Sequence, residues 1–92
     1  MKVMATWSIR PGAFKEAVKH FLETGGKPQE GVTILGRWHR TDLSGGFVLF
    51  ESNDPAAMYA GSAAWGPLVE FHGHVVVEDA EAGAALSKLF SA

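Results

Sequence analysis

The residues best suited to chemistry fall in two short blocks. The first is Arg37-Trp38-His39. The second is His72-Gly73-His74, with Trp65 a little upstream. Alternate residues of a strand share a face, so Arg37 goes with His39, and His72 goes with His74. A guanidinium can hold a ligand carboxylate bidentately. Two imidazoles at that spacing can chelate a divalent ion, and His39 would be the third ligand. The three tryptophans of the chain could wall an aromatic pocket. Each group also has a plainer role. Arg37 could pair with Glu51, Glu70 or Glu78 across an interface, strand histidines are commonly solvated, and Trp7 suits core volume. His20 falls on the wet face of a helix and is given no role. Arg37, Trp38, His39, Trp65, His72 and His74 are therefore the candidate ligand contacts. No catalytic residue, metal site or cofactor is assigned.

The elements that must position these groups follow from periodicity. Val3 to Ile9 alternates as a strand, with Val3, Ala5, Trp7 and Ile9 on one face. Arg10-Pro11 starts a helix, since proline at the first helical position lacks only a donor the helix does not use. Phe14, Ala17, Val18, Phe21 and Leu22 form its apolar stripe, and Gly25-Gly26 ends it. Val32 to Arg40 and Phe47 to Ser52 are strands joined by a turn-rich segment, which predicts a hairpin. On the second strand Arg37 and His39 share a face, and Trp38 points the other way, toward Trp7 and the helices. Asn53-Asp54-Pro55 starts a helix of small residues with Met58, Tyr59 and Trp65 as its bulk, and Gly66-Pro67 stops it. Leu68 to Glu78 holds the fourth strand. Asp79 can cap a last helix presenting Ala82, Leu86, Leu89 and Phe90.

This order predicts a single α+β domain over residues 1–92: a ferredoxin-like βαββαβ unit with a C-terminal helix and a four-stranded antiparallel sheet. Right-handed crossovers place the first two helices on one side of the sheet. The strands nevertheless carry bulk on both faces, as in Val32-Thr33-Ile34-Leu35, Phe47-Val48-Leu49-Phe50 and His74-Val75-Val76-Val77. Each large aliphatic side chain left in water forfeits about 1.5–3 kcal/mol. A second copy, related by a two-fold axis, is the expected cover for the far face. The alternative is that the C-terminal helix folds back over it. If Trp38 is core, its replacement by alanine costs about 3–5 kcal/mol.

Composition narrows the partners. Net charge is −2 and cysteine is absent, which excludes thiolate metal sites and cysteine nucleophiles and offers no basic field for nucleic acid or membrane. Gly46-Phe47-Val48-Leu49-Phe50 matches half of an RNA-recognition sheet motif. The other half is missing, and Met4 stands where a base-stacking aromatic is wanted. No apolar signal-peptide core precedes the first strand and no stretch reaches bilayer length, so cytoplasm is the expected compartment by elimination.

Met4-Ala5-Thr6-Trp7, Gly36-Arg37-Trp38-His39, Gly45-Gly46, Asp54-Pro55-Ala56, Trp65 and Val75-Val76-Val77-Glu78-Asp79 together resemble the short bacterial proteins of domain of unknown function family 3303. The Gly-Arg-Trp-His block is the most specific element. The resemblance implies a ferredoxin-like, dimeric α/β-barrel type of fold and supplies no mechanism. At the fold level the chain also looks like dimeric α/β-barrel proteins, which include cofactor-free monooxygenases and haem-degrading enzymes. The haem-degrading type uses an asparagine, a tryptophan and a histidine. Trp65 with His72 or His74 would fill two of these parts, while the first strand offers only Thr6 and Ser8 for the third.

Three functional expectations result. The first is a homodimeric small-ligand-binding or accessory module in which Arg37 fixes an anion, Trp38 and Trp65 wall the pocket, and His39, His72 or His74 donate hydrogen bonds. The second is a cofactor-free monooxygenase-like enzyme with a strand histidine as general base. The third is metal or haem binding through His39, His72 and His74.

Overall fold

Apolar alternation and glycine punctuation divide the chain into seven elements. They are β1 (Lys2–Ile9), α1 (Phe14–Thr24), β2 (Thr33–His39), β3 (Gly45–Glu51), α2 (Pro55–Trp65), β4 (Val69–Val76) and α3 (Asp79–Phe90). The computed structural model describes residues 1–91. The strands form one antiparallel sheet in the order β2-β3-β1-β4, the α+β ferredoxin-like arrangement with an added helix.

The sheet's two faces follow from register. Val3 lies between Phe50 and Val75, Ala5 between Val48 and Gly73, and Trp7 between Gly46 and Phe71. This is the face that α1 and α2 roof. Its buried centre is Val3, Ala5, Val48 and Val69, met by Ala17 and Ala57 from the helices. On the far face Met4 lies between Leu49 and His74, and Thr6 between Phe47 and His72. There Met4, Phe47 and Trp38 are half exposed. The C-terminal helix does not fold back to cover them: none of its residues is buried.

The element starts differ from expectation in three places. Pro11 does not begin α1. Gly12 adopts a left-handed conformation (φ 79°), Ala13 N–H donates to Arg10 O at 3.0 Å, and this turn delays the helix to Phe14. The cap of α3 is Glu78 rather than Asp79, in a reciprocal capping box with Glu81. The third strand begins at Gly45, two residues early, because the turn is tightened by Asp42, whose carboxylate accepts from Ser44 N–H (3.0 Å) and Ser44 O–H (2.6 Å).

One irregularity has larger effects. Between Ile34 and Gly36 the register of β2 against β3 slips, so Ile34 faces Phe50, Gly36 faces Leu49, Arg37 faces Val48 and Trp38 faces Phe47. Leu35 is the extra residue of a β-bulge. Upstream of it Ile34 faces the helices. Downstream, parity is inverted: Arg37 and His39 face the helices, and Trp38 faces away. The expectation that Trp38 shares the helix-covered face with Trp7 is thus corrected, because strict alternation does not survive a bulge.

Two small devices hold the ends. Asp54 accepts from Ala56 N–H (3.1 Å) and Ala57 N–H (3.2 Å) as the N-cap of α2, so Asp54→Ala should lower stability by about 1 kcal/mol in urea unfolding. Lys2 donates to Glu78 across β1 and the start of α3. Their hydrogen bond, and then their mutual charge, hold the Glu78 carboxyl below and the Lys2 ammonium above their ordinary ranges. A depressed carboxyl stabilises above its unfolded pKa and loses that contribution as pH falls; a raised ammonium stabilises below its unfolded pKa and loses it as pH rises. The pair should therefore contribute on a plateau from about pH 5 to pH 10. Both groups are exposed, so the increment is small. Lys2→Gln should lower the melting temperature slightly at pH 7, and the difference should shrink on acidification below about pH 4.

Candidate functional site

Small residues face one another across the two layers. Ala5 and Gly73 on the sheet lie under Ala17, Ala57 and Gly61 of the helices, and all five line one cavity of about 620 Å³. Larger groups, among them Trp7, Phe21, Trp65 and Phe71, line the same cavity. Backbone elements that meet through alanine and glycine cannot fill the space such rings open. The volume lies within the range of small-molecule sites, and the lining is mostly apolar.

Two polar groups of the cavity, Arg37 and His39, come from β2, turned inward by the Leu35 bulge; others, among them Lys27, Gln29 and Ser62, come from the loop after α1 and from α2. His39 stands edge-on to Trp7 of β1, with ring centroids 5.4 Å apart, and edge-on to Phe21 of α1 at 5.3 Å. Arg37 lies 5.1 Å over the same Phe21 ring. Its guanidinium donates to Gly26 O at 2.7 Å and to Gly25 O at 3.4 Å. Those carbonyls follow the left-handed Gly25 that ends α1, where a cation also complements the helix dipole. Gly26 has to be glycine: a Cβ there would sit 2.7 Å from both Arg37 Nη2 and Phe21 Cε2, at a φ of +62°. On the other side His20 stacks edge-on to Trp65 at 4.4 Å.

Of the candidates read from the sequence, Arg37, His39 and Trp65 meet at this cavity. Trp38, His72 and His74 do not. Register places them on the far face, with Trp38 opposite Phe47, His72 opposite Thr6 and His74 opposite Met4. Trp38 therefore does not wall the pocket with Trp65. His39 cannot join His72 and His74 as a third ligand, because the sheet separates them. Among the described residues no group of three metal-ligating side chains converges. Trp65 is likewise parted from His72 and His74 by the sheet, so the haem constellation is not assembled. The acidic partners expected for Arg37 are elsewhere: Glu78 holds Lys2, and Glu70 Oε1 is 3.3 Å from His72 Nε2. Sequence reasoning missed Phe21, the ring both Arg37 and His39 rest on, and His20, a surface residue by periodicity. Phe21 was in view as part of the α1 stripe; its partners across the layer were not.

The family model described as domain of unknown function (DUF3303) matches residues 1–90. This chain is a DUF3303 protein. The family resemblance read from the Gly-Arg-Trp-His block and its companions is thereby borne out. That block supplies Gly36, Arg37, Trp38 and His39, split between both sides of the DUF3303 sheet. No curated protein matches the chain. Among solved structures, it is similar to an uncharacterized NIPSNAP domain protein from Burkholderia xenovorans, at 15% identity and a TM-score of 0.47, covering 86% of this chain and 97% of that one. It is also similar to PA3566 from Pseudomonas aeruginosa, at 18% identity and a TM-score of 0.43, covering 84% and 93%. No helix among the described residues is long and apolar enough to cross a membrane.

The cavity floor is directly testable. A Cβ on Gly73 would meet Val3 Cγ1 at 3.5 Å and Ala5 Cβ at 3.8 Å, ordinary contacts. Gly73→Val should raise stability by about 1 kcal/mol, since it fills apolar space and removes a strand glycine. A fall in melting temperature would mean that the layers close over this position.

Proposed function

We propose that this DUF3303 chain is a homodimeric module that binds a small, largely apolar molecule between its sheet and its two crossover helices. The observation carrying this reading is the cavity of about 620 Å³ lined by Trp7, Phe21, Trp65 and Phe71, with Arg37 and His39 on one wall. Apolar space of that size, left unfilled, sacrifices packing energy that a ligand would restore.

Surface area supports the homodimer. The chain exposes 6616 Å², against about 5,200 Å² for a compact monomer of this mass. The surplus of about 1,400 Å² per chain is what a large two-fold interface removes. Shape agrees: the radius of gyration is 15.9 Å, against about 12 Å for a compact chain of this length. The surplus is apolar in the right places. Met4, Trp38 and Phe47 stand on the far face of the sheet, and Leu86, Leu89 and Phe90 on α3, all exposed. The sheet face is the proposed contact between copies.

A second reading is favoured by one observation. His39 packs edge-on to Trp7 and Phe21 and lines the cavity at its exposed rim, within reach of a bound substrate as a general base must be. It is the strand histidine that a cofactor-free monooxygenase-like activity would use. Oxygen uptake with an acidic phenol, lost in His39→Ala while ligand binding persists, would establish it.

Two measurements test the main reading. An uncharged environment-sensitive dye such as Nile red should bind with micromolar affinity, and Ala57→Leu, which fills the roof of the cavity, should weaken it about tenfold or more. Equal binding by the filled variant would remove the cavity from consideration. In sedimentation the chain should run as a dimer at micromolar concentration. Phe47→Glu should yield a folded monomer, by placing a charge on each side of the contact. A monomeric parent would end the dimer proposal.

A further inference from the structure

The charges around the cavity are one-sided. Ten acidic residues occur in the chain, yet none lines the cavity, whereas Lys27, Arg37, His39 and Arg40 do, Arg40 donating to Ser44 Oγ at 3.1 Å. The overall net charge of −2 makes this a local inversion. Neither Lys27 nor Arg37 has a carboxylate partner among the described residues, where Lys2 meets Glu78 and Glu70 lies 3.3 Å from His72. Lys27 follows Gly26, whose carbonyl accepts from Arg37 Nη1, so the two cations adjoin at the end of α1. Two of the five N–H donors of Arg37 are committed, to Gly25 O and Gly26 O. The others remain for a ligand. The rest of the wall is ring and aliphatic carbon, including Trp7, Phe21 and Trp65.

We infer that the ligand is an amphiphilic monoanion: an apolar body, aromatic or aliphatic, carrying one carboxylate-type oxyanion. This inference rests on the cavity being the ligand site. The body displaces water from the small-residue trough between the layers. The oxyanion is held at the β2 edge by the free guanidinium edge of Arg37 and the ammonium of Lys27, with His39 beside them. A desolvated carboxylate needs such donors, since burial without them is costly. A cationic ligand of the same shape meets like charge at the same place and no acid anywhere on the wall.

The experiment is a matched series on the full chain: octanoate, octan-1-ol and octylamine at pH 7, followed by quenching of tryptophan fluorescence and by calorimetry. Octanoate should bind at least tenfold more tightly than octanol, and octylamine more weakly than both. Added salt should narrow the gap between octanoate and octanol. Lys27→Gln and Arg37→Gln should each cut the preference for octanoate over octanol severalfold. Arg37 also satisfies carbonyls at the end of α1, so its variant could loosen the fold. Lys27→Gln, with its melting temperature checked against the parent, carries the test in that case. Equal binding of octanoate and octanol, or tighter binding of octylamine, overturns the charge inference and leaves the cavity reading standing. Failure of all three to bind overturns both.

Discussion

A single extra residue in β2 decides which of its side chains face the helices. Upstream of Leu35 the strand turns Ile34 to the helices. Downstream, the bulge inverts alternation, so Arg37 and His39 enter the cavity and Trp38 leaves it. Were Leu35 paired in regular alternation instead of bulged, Trp38 would face the helices and Arg37 the far face. The neighbouring glycine accommodates the consequence. A Cβ on Gly36 would lie 2.4 Å from the Trp38 ring, so the indole folds over a bare backbone on the outer side of the sheet. The Gly-Arg-Trp-His block is thus one structural device whose four residues serve two faces.

The cavity has the opposite origin, in what is too small rather than what is inserted. Ala5, Gly73, Ala17, Ala57 and Gly61 oppose one another, and packed layers of such residues would ordinarily approach closely. Here Arg37 and His39 of β2 are seated against Phe21 of α1, and the space between the layers stays open. The polar wall is stable because it is also structural: Arg37 anchors the two glycine carbonyls that end α1. Cavity lining and helix termination share one side chain, which ties the position of the guanidinium to the fold itself.

The far face and α3 form the other half of the problem. A sheet roofed on one side only, with Met4, Phe47 and Trp38 half in water and a terminal helix that buries nothing, leaves more apolar surface than a chain of this size ordinarily tolerates. That excess and the cavity lie on opposite sides of the same strands. The proposed contact between copies and the proposed ligand site therefore do not compete for surface.

The order of elements, the Asp54 cap, the stripe of α1 and the greasiness of both sheet faces were legible from sequence, because each depends on residues within a few positions of one another. Family membership was legible too, through the block around Arg37. The start of α1 was misplaced by the turn at Gly12, and the cap of α3 by one residue, since local chemistry allowed either choice. The candidate site was half legible. Arg37, His39 and Trp65 share the cavity, while register puts Trp38, His72 and His74 on the other face. A face in a sheet is a parity, and parity is lost wherever a bulge intervenes. Local residue types alone do not reveal the slip between Ile34 and Gly36, which exists only in the pairing of β2 with β3. Phe21 meeting Arg37 and His39, and small residues meeting across the layers, are likewise contacts between segments distant along the chain. Sequence determined which groups were available and on which element. The tertiary structure decided which of them share a wall, because only strand pairing and layer packing set the distances between them.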